Sequence, residues 1–396
     1  MNQTNPNLLF EYILEREAGV RGKTLFIQFR RILLRRALLL FLALPLDLIA
    51  MCVQMLRWPW QPRRKTITLT RMVPDLLAQL TGSGLVYAGP PSWAAFAWRQ
   101  HAAYMPASVP YILLTVALYL PNEARNILGR WTLRWVDWLY KLYKVDIASV
   151  LVHSDALPFA RAFVLQARDR GMKTICVQHG IFHANSGIKN FDGYLCDLNV
   201  VRSREDGELI ASSNRATELC VEPDFFLTTF PDFNSENLSP VITLVGEGWH
   251  TVDEVFSKSY IEKLRQLEVE LFSLGCHVLF RPHPSERSFA KKFGFQQLDL
   301  TDLGISMAKT DVYLGFSSTL LIEAAAAGCS VAQLPVDGVF NTGMNRAGIH
   351  VFRAESAQDV FRLTAMARTQ RPPAGDLVGR KNRAVDRVYQ EIKKSN

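Results

Sequence analysis

None of the six cysteines belongs to a C-x-x-C pair, and the chain has no Asp-x-Asp triplet, no internal repeat and no low-complexity tract. Most cysteines sit in apolar runs such as Thr174-Ile175-Cys176-Val177. That excludes a zinc ribbon and reads as buried free thiols in a reducing compartment. Neither a structural metal nor any other cofactor is expected. Nucleic-acid recognition motifs are absent too, so no nucleic-acid partner is expected. Charge is sparse, at 21% of residues against 48% hydrophobic, so packed cores are expected rather than disorder. A length of 396 residues suits two domains. The formal net charge of +8 favours anionic partners: phosphates, nucleic acid or acidic lipid.

The first 64 residues differ from the rest. Arg30, Arg31, Arg35 and Arg36 precede an apolar stretch from Ala37 to Leu56, and Arg57, Arg63, Arg64 and Lys65 follow it, with Trp58 and Trp60 between. No small-residue cleavage site follows, which argues against a signal peptide. Length alone permits a span, since roughly 20 residues cross a bilayer. Asp47 would be costly in mid-membrane, however, and Pro45 would break or kink the helix. The pattern predicts a helical pair lying on an anionic membrane surface through residues 30–65, with arginines at the head groups and tryptophans at the boundary. The competing expectation is that these helices pack on the globular body.

From Lys65 onward the pattern alternates. Strands are expected at Lys65–Thr70 and Gly84–Ala88, with a helix at Pro74–Leu80 between them. Residues 110–145 carry Trp131, Trp135 and Trp138 at helical spacing, read as core packing. A βαβ unit follows: strand Ile147–His153, helix Pro158–Arg170, a stop at Gly171, and strand Thr174–Val177. Further strands are expected at Tyr194–Cys196 and Glu218–Val221. Residues 231–240 are polar and turn-rich, a linker. The alternation then restarts with strands at Val241–Val245, Val278–Phe280, Asp311–Leu314 and Val331–Leu334, and helices at Val252–Leu274 and Thr319–Ala327. Two doubly wound, Rossmann-like α/β domains result. They are placed at 65–235 and 236–372 behind the helical segment 1–64, and a C-terminal helix in 373–396 packs back.

Chemistry concentrates where strands end. Gln178-His179-Gly180 follows the strand at Val177, and His183, Asn185 and Lys189 lie on the loop after it, able to meet an acceptor or a donor. In Arg281-Pro282-His283-Pro284, two prolines stiffen the chain after a strand and hold a permanent cation beside a titratable imidazole. Gly315-Phe316-Ser317-Ser318-Thr319 opens a helix, whose free N–H groups and hydroxyls suit a phosphate. Glu323, one turn in, could reach a ribose or sugar hydroxyl. Glu247, between Gly246 and Gly248, is sterically open in this reading: an acceptor-side base, a sugar contact or a helix cap. Asp206 in Glu205-Asp206-Gly207 is a further carboxylate candidate.

Over residues 147–335 these motifs resemble GT-B-fold bacterial glycosyltransferases that build surface polysaccharides. His283-Pro284 and Ser317-Ser318 are similar to the His-Pro and serine motifs with which bacterial sialyltransferases hold a nucleotide monophosphate. Glu205-Asp206-Gly207 matches the letters of their acidic base motif, and Glu247-Gly248 matches it in part. The His-Gly, Arg-x-His-Pro and serine signals also resemble polyol-phosphate transferases of teichoic-acid type, and the His-Pro is similar to that of Kdo transferases of capsule assembly. The resemblance implies a metal-independent displacement from a nucleotide-sugar donor, a CMP-linked acid sugar such as sialic acid ahead of others. The acceptor would be a glycan or lipid-linked glycan in capsule or lipopolysaccharide synthesis, on the cytoplasmic face of the inner membrane. In that mechanism a carboxylate or His179 takes the acceptor's proton. Arg281, His283 and the Ser317 helix start receive the charge growing on the phosphate. The alternatives are a CDP-polyol phosphotransferase and a non-catalytic membrane-bound scaffold.

Overall fold

The computed structural model describes residues 6–10, 33–57, 64–69, 77, 84–143, 146–154, 158–177, 195–201, 207, 208, 210, 218–221, 239–248, 254–288, 290–335, 351–369, 388–392 and 394. Two parallel sheets organise them. The first has seven strands: β1 (Arg64–Thr68), β2 (Leu85–Gly89), β3 (Ala103–Pro106), β4 (Asp146–Val152), β5 (Lys173–Val177), β6 (Leu198–Val201) and β7 (Glu218–Val221). Their order is β3-β2-β1-β4-β5-β6-β7. The second has β8 (Val241–Val245), β9 (His277–Arg281), β10 (Val312–Gly315), β11 (Ser330–Gln333) and β12 (Phe352–Arg353), in the order β12-β11-β10-β8-β9.

A parallel sheet is covered on both faces, so its strands read as unbroken apolar runs. Side chains still alternate across the sheet. Val150 and Val152 of β4 join one core with helices α4 (Ser108–Ala117), α5 (Asn122–Leu142) and α6 (Pro158–Asp169). Leu151 between them faces the opposite core, with α3 (Ser92–Arg99) and the C-terminal residues Val388 and Ile392. Val388 and Ile392 thus pack against the first sheet. In the second sheet, Ile242, Leu244, Val312 and Leu314 face α7 (Glu254–Ser273) and α10 (Ala357–Thr369). Val245 and Tyr313 face α8 (Leu303–Lys309) and α9 (Thr319–Ala326).

The apolar N-terminal stretch forms two helices, α1 (Leu33–Leu42) and α2 (Leu44–Arg57), bent by 59°. Pro45 lies in the first turn of α2, where a missing N–H costs nothing. Asp47, the awkward acid of the sequence, is buried. It accepts hydrogen bonds from the Tyr104 hydroxyl (2.7 Å) and the Ser108 N–H (3.3 Å). Gln54 Oε1 accepts the Tyr104 N–H (3.1 Å), so α2 lies along β3, the edge strand. Among the described residues no single helix is long and apolar enough to cross a membrane; the bent α1–α2 pair passes only as a pair. The far side of α1 and α2 keeps Leu38, Leu39, Phe41, Leu42, Leu46, Ile49 and Leu56 exposed.

Several expectations need correction. Trp131, Trp135 and Trp138 are not core: they are 60%, 38% and 43% exposed on the outer side of α5. The inner side is apolar as well, through Leu133, Val136, Leu139 and Tyr140. Cys52 is exposed, although Cys176, Cys196, Cys276 and Cys329 are buried thiols. The strand expected at 194–196 begins at Leu198, and β3 and α8 had no counterpart in the sequence reading. The expected helix at 74–80 and linker at 231–240 fall mostly outside the described residues.

Candidate functional site

In the five-stranded sheet the chain starts at β8, takes β9 on one side, then crosses to β10 on the other. The carboxyl ends of β8 and β10 thus flank the point where strand order reverses, the usual ligand crevice of an open α/β sheet. Three loops meet there: Gly246-Glu247-Gly248 after β8, Pro282-His283-Pro284 after β9, and Phe316-Ser317-Ser318 after β10, which leads into α9.

Two buried carboxylates tie these loops together. Glu247 accepts hydrogen bonds from the Phe316 N–H (2.8 Å), the Ser317 N–H (3.1 and 3.2 Å) and the Ser317 hydroxyl (3.0 Å). It is 9% exposed, so it is not the open carboxylate expected from its flanking glycines. Burial pushes its pKa up to about 7, against hydrogen bonds from Phe316 and Ser317 that pull it down. An internal carboxyl therefore already sits at donors expected to meet a phosphate.

Glu286 is fully buried and had no signal in the sequence reading. It accepts the Gly248 N–H (2.9 Å), the His283 N–H (3.0 Å) and the Tyr260 hydroxyl. Burial, then the Glu286 charge, raises the Tyr260 phenol, which stays protonated and donating. The packing leaves no room for side chains at the glycines. A Cβ on Gly246 would stand 2.3 Å from Glu286 Oε2. One on Gly248, whose φ is +72°, would stand 2.6 Å from His283 Nδ1.

His283 is exposed at the rim. Its Nδ1 lies 2.7 Å from Ser285 Oγ and accepts the Ser285 N–H at 3.3 Å. With Nδ1 accepting, the neutral ring carries its proton on Nε2. Ser318 and Thr319 are half-buried at the start of α9; Ser318 is its N-cap and makes no side-chain cap bond. Glu323 is half-buried on the same helix.

Arg281 requires a correction. Its guanidinium is buried and donates to Asp299 Oδ2 (3.1 Å) and to the Thr301 carbonyl (3.0 Å). Burial alone would raise Asp299, but hydrogen bonds from Ser306 and Thr301 and the charges of Arg281 and Lys309 hold it below the ordinary carboxylate range. Arg281 is the end residue of β9 and is turned to this internal partner, not to a phosphate.

On the first sheet, Gln178, His179, His183, Asn185, Lys189 and Asp206 lie outside the described residues. His179 and His183 do stand four apart, a metal-compatible spacing. Among the described residues no group of three or more His, Cys, Asp or Glu could hold a metal. His153 closes the strand expected at Ile147–His153. It follows β4 at the carboxyl edge of the first sheet, beside the reversal between β1 and β4. Burial lowers its pKa, so the imidazole is neutral at pH 7.

No family model matches the sequence, and no curated protein does. Solved structures do. A UDP-GlcNAc 2-epimerase from Neisseria meningitidis bound to UDP-GlcNAc matches with TM-score 0.52 and 14% identity, over 84% of this chain and 100% of that one. The S. aureus MnaA–UDP co-structure gives 0.53 and 15%, over 84% and 96%. CalG4, the calicheamicin glycosyltransferase, gives 0.51 and 13%, over 84% and 98%. At such identities the likeness shows the fold: an α/β architecture of parallel sheets, of the GT-B type.

Proposed function

We propose that the chain is a glycosyltransferase that takes a sugar from a nucleotide-sugar donor and places it on a glycan hydroxyl. The observation that carries this reading is the meeting of the Gly248, His283 and Ser317 loops at the reversal point of the second sheet. The exposed His283 ring and the half-buried hydroxyls of Ser318 and Thr319 at the start of α9 suit the phosphate end of a nucleotide. The structural neighbours include a UDP complex, a UDP-GlcNAc complex and a glycosyltransferase, which supports a UDP-linked donor ahead of a CMP-linked one.

In the reaction, the acceptor hydroxyl attacks the anomeric carbon as the carbon–oxygen bond to the phosphate breaks. The electron pair leaves on the phosphate, met by His283 and the α9 start. The acceptor's proton passes to a base on the first sheet. His153 fits that role by its neutrality, and His179 by its place after β5. Glu247 and Glu286 hold the loops and do not touch the reacting atoms. Arg281 braces β9 from within. Residues 33–57 would lay their exposed leucines on the inner leaflet, beside a lipid-linked acceptor.

A second reading, a UDP-sugar epimerase, draws on the epimerases among the neighbours. Thermal-shift titration with UDP, CMP, CDP and GDP identifies the nucleotide, since a ligand stabilises the state it binds. UDP release that needs a glycan acceptor and falls about a hundredfold in His283→Ala supports transfer. Acceptor-independent interconversion of the UDP-sugar supports the epimerase instead. Release from phosphorus with a CDP-polyol supports the phosphotransferase. Stabilisation by no nucleotide at all sinks the nucleotide-sugar reading and leaves the scaffold.

A further inference from the structure

The outer side of α5 has an unusual composition for a surface. Ile127, Arg130, Trp131, Arg134, Trp135, Trp138 and Lys141 are all exposed, at spacings of three and four that put them on one side of the helix. Trp135 and Trp138 tilt together with ring centroids 5.2 Å apart. With Trp131 and Arg134 they line a shallow depression of about 340 Å³. Between Ile127 and Lys141 no acid lies on this stripe; the exposed Glu123 stands one turn before it. Asp137 borders it and is neutralised by Arg170 (2.5 Å) and Lys141 (2.8 Å).

The stripe is not isolated. Helix α5 packs on α4, and α4 touches α2. The positive charge of Arg36 on α1 acts on the buried Tyr111 phenol of α4, opposing the larger upward push of burial on its pKa. Val116 and Tyr119 near the end of α4 are exposed as well. Leucines on α1 and α2 and tryptophans on α5 thus belong to neighbouring helices on one part of the first domain.

We infer that the outer side of α5 docks on an anionic lipid bilayer. Indole rings are at home where hydrocarbon meets head groups, because one end is apolar and the N–H wants a polar partner. Arg130 and Arg134 stand among those rings, where guanidinium groups reach lipid phosphates while their stems lie on apolar surface. A protein partner would equally cover the rings, but from Ile127 to Lys141 the exposed charges are Arg130, Arg134 and Lys141, all positive, which matches a surface that is negative everywhere. This inference rests on the reading of residues 33–57 as a leaflet-bound surface and adds a third helix to it, fixing the roll of the first domain on the membrane.

The test uses the full chain with vesicles of phosphatidylcholine, and of phosphatidylcholine mixed with phosphatidylglycerol, read by cosedimentation. Three variants are compared, each checked by its Tm: Trp131→Ser with Trp135→Ser and Trp138→Ser; Arg130→Gln with Arg134→Gln; and Leu38→Ser with Leu42→Ser and Leu46→Ser. Wild type binds the anionic vesicles. The tryptophan variant loses roughly tenfold or more in partition. The arginine variant loses about fivefold per residue at low salt, and only on anionic vesicles; it keeps the question decidable should the tryptophan variant fold poorly. If both α5 variants bind like wild type while the leucine variant does not, the α5 inference is overturned and the reading of 33–57 survives. If the α5 variants lose binding and the leucine variant does not, α5 stands and the earlier reading falls. A wild type that ignores all vesicles overturns both. Soluble oligosaccharide bound by wild type and lost in the tryptophan variant, with vesicle binding unchanged, makes the stripe a sugar-stacking surface and overturns the inference.

Discussion

In the first half of the molecule, α1, α2 and α5 hold Leu42, Leu56 and Trp131 in solvent; in the second half, Glu286 and Asp299 are carried into the interior. An exposed Leu alone says little, but a run of them on adjacent helices calls for a surface to cover it. A buried carboxylate is tolerated only if its lone pairs are filled, and here they are. The difference teaches where each half does its work. The second spends its rare charges on fixing loop positions at the strand ends. The first holds the longest exposed apolar run, on α1 and α2, although the second also exposes Val269, Phe272 and Ile305.

The sharpest way to break this comparison is to remove a buried charge. Arg281→Ala leaves Asp299 buried with fewer partners and should cost about 3–5 kcal/mol of stability, read by urea denaturation. Nucleotide affinity of the protein that remains folded should hold within about twofold. A large loss of affinity at unchanged stability would return Arg281 to the phosphate. Next comes Glu286→Leu, which strands the N–H groups of Gly248 and His283 and the Tyr260 hydroxyl. A loss of about 3 kcal/mol is expected, with a lower Tm and weaker nucleotide binding together.

The third prediction concerns pH. Glu247 has a folded-state pKa of about 7 against an ordinary value of 4.5, so folding favours its protonated form. Its contribution to stability is fully present below pH 4.5 and is lost as pH rises through about 7. The full swing is about 3 kcal/mol. Denaturation at pH 5 and pH 8 should show wild type losing stability on alkalinisation, and Glu247→Gln losing distinctly less. Equal slopes would mean the carboxyl is already ionised among its donors. The smallest effect belongs to the other half: Leu42→Ser, at a site 76% exposed, should change stability by less than about 0.5 kcal/mol. A greater loss would show that Leu42 is packed rather than held outward.

Much of the layering was legible in the sequence because parallel strands leave apolar runs and crossover helices leave 3.6-residue periodicity. The βαβ unit from β4 to β5 shows this: Gly171, with φ +71°, stops α6 where the pattern ends. The tryptophan stripe was misread because α5 is apolar on both sides, and periodicity does not say which side meets the core. Arg281 was misassigned because its partner, Asp299, lies eighteen residues away on the segment that runs beside β9, with no local signal. Glu286 was passed over for the opposite reason. It is only three residues from His283, but its bonds to Gly248 and Tyr260 come from other loops and helices. His283 and the serine turn were found because prolines and a helix start are written locally.

The seat of Gln54 on Tyr104 carries a practical consequence for anyone shortening this chain. Strand β3 ends its sheet, and α2 is what occupies that border. Deleting residues 1–57 to obtain a better-behaved fragment would strip away a greasy helix and bare a strand margin ready to recruit a second molecule. Such a fragment should clump rather than dissolve, and a detergent that keeps α2 in place is the better route to a monodisperse sample.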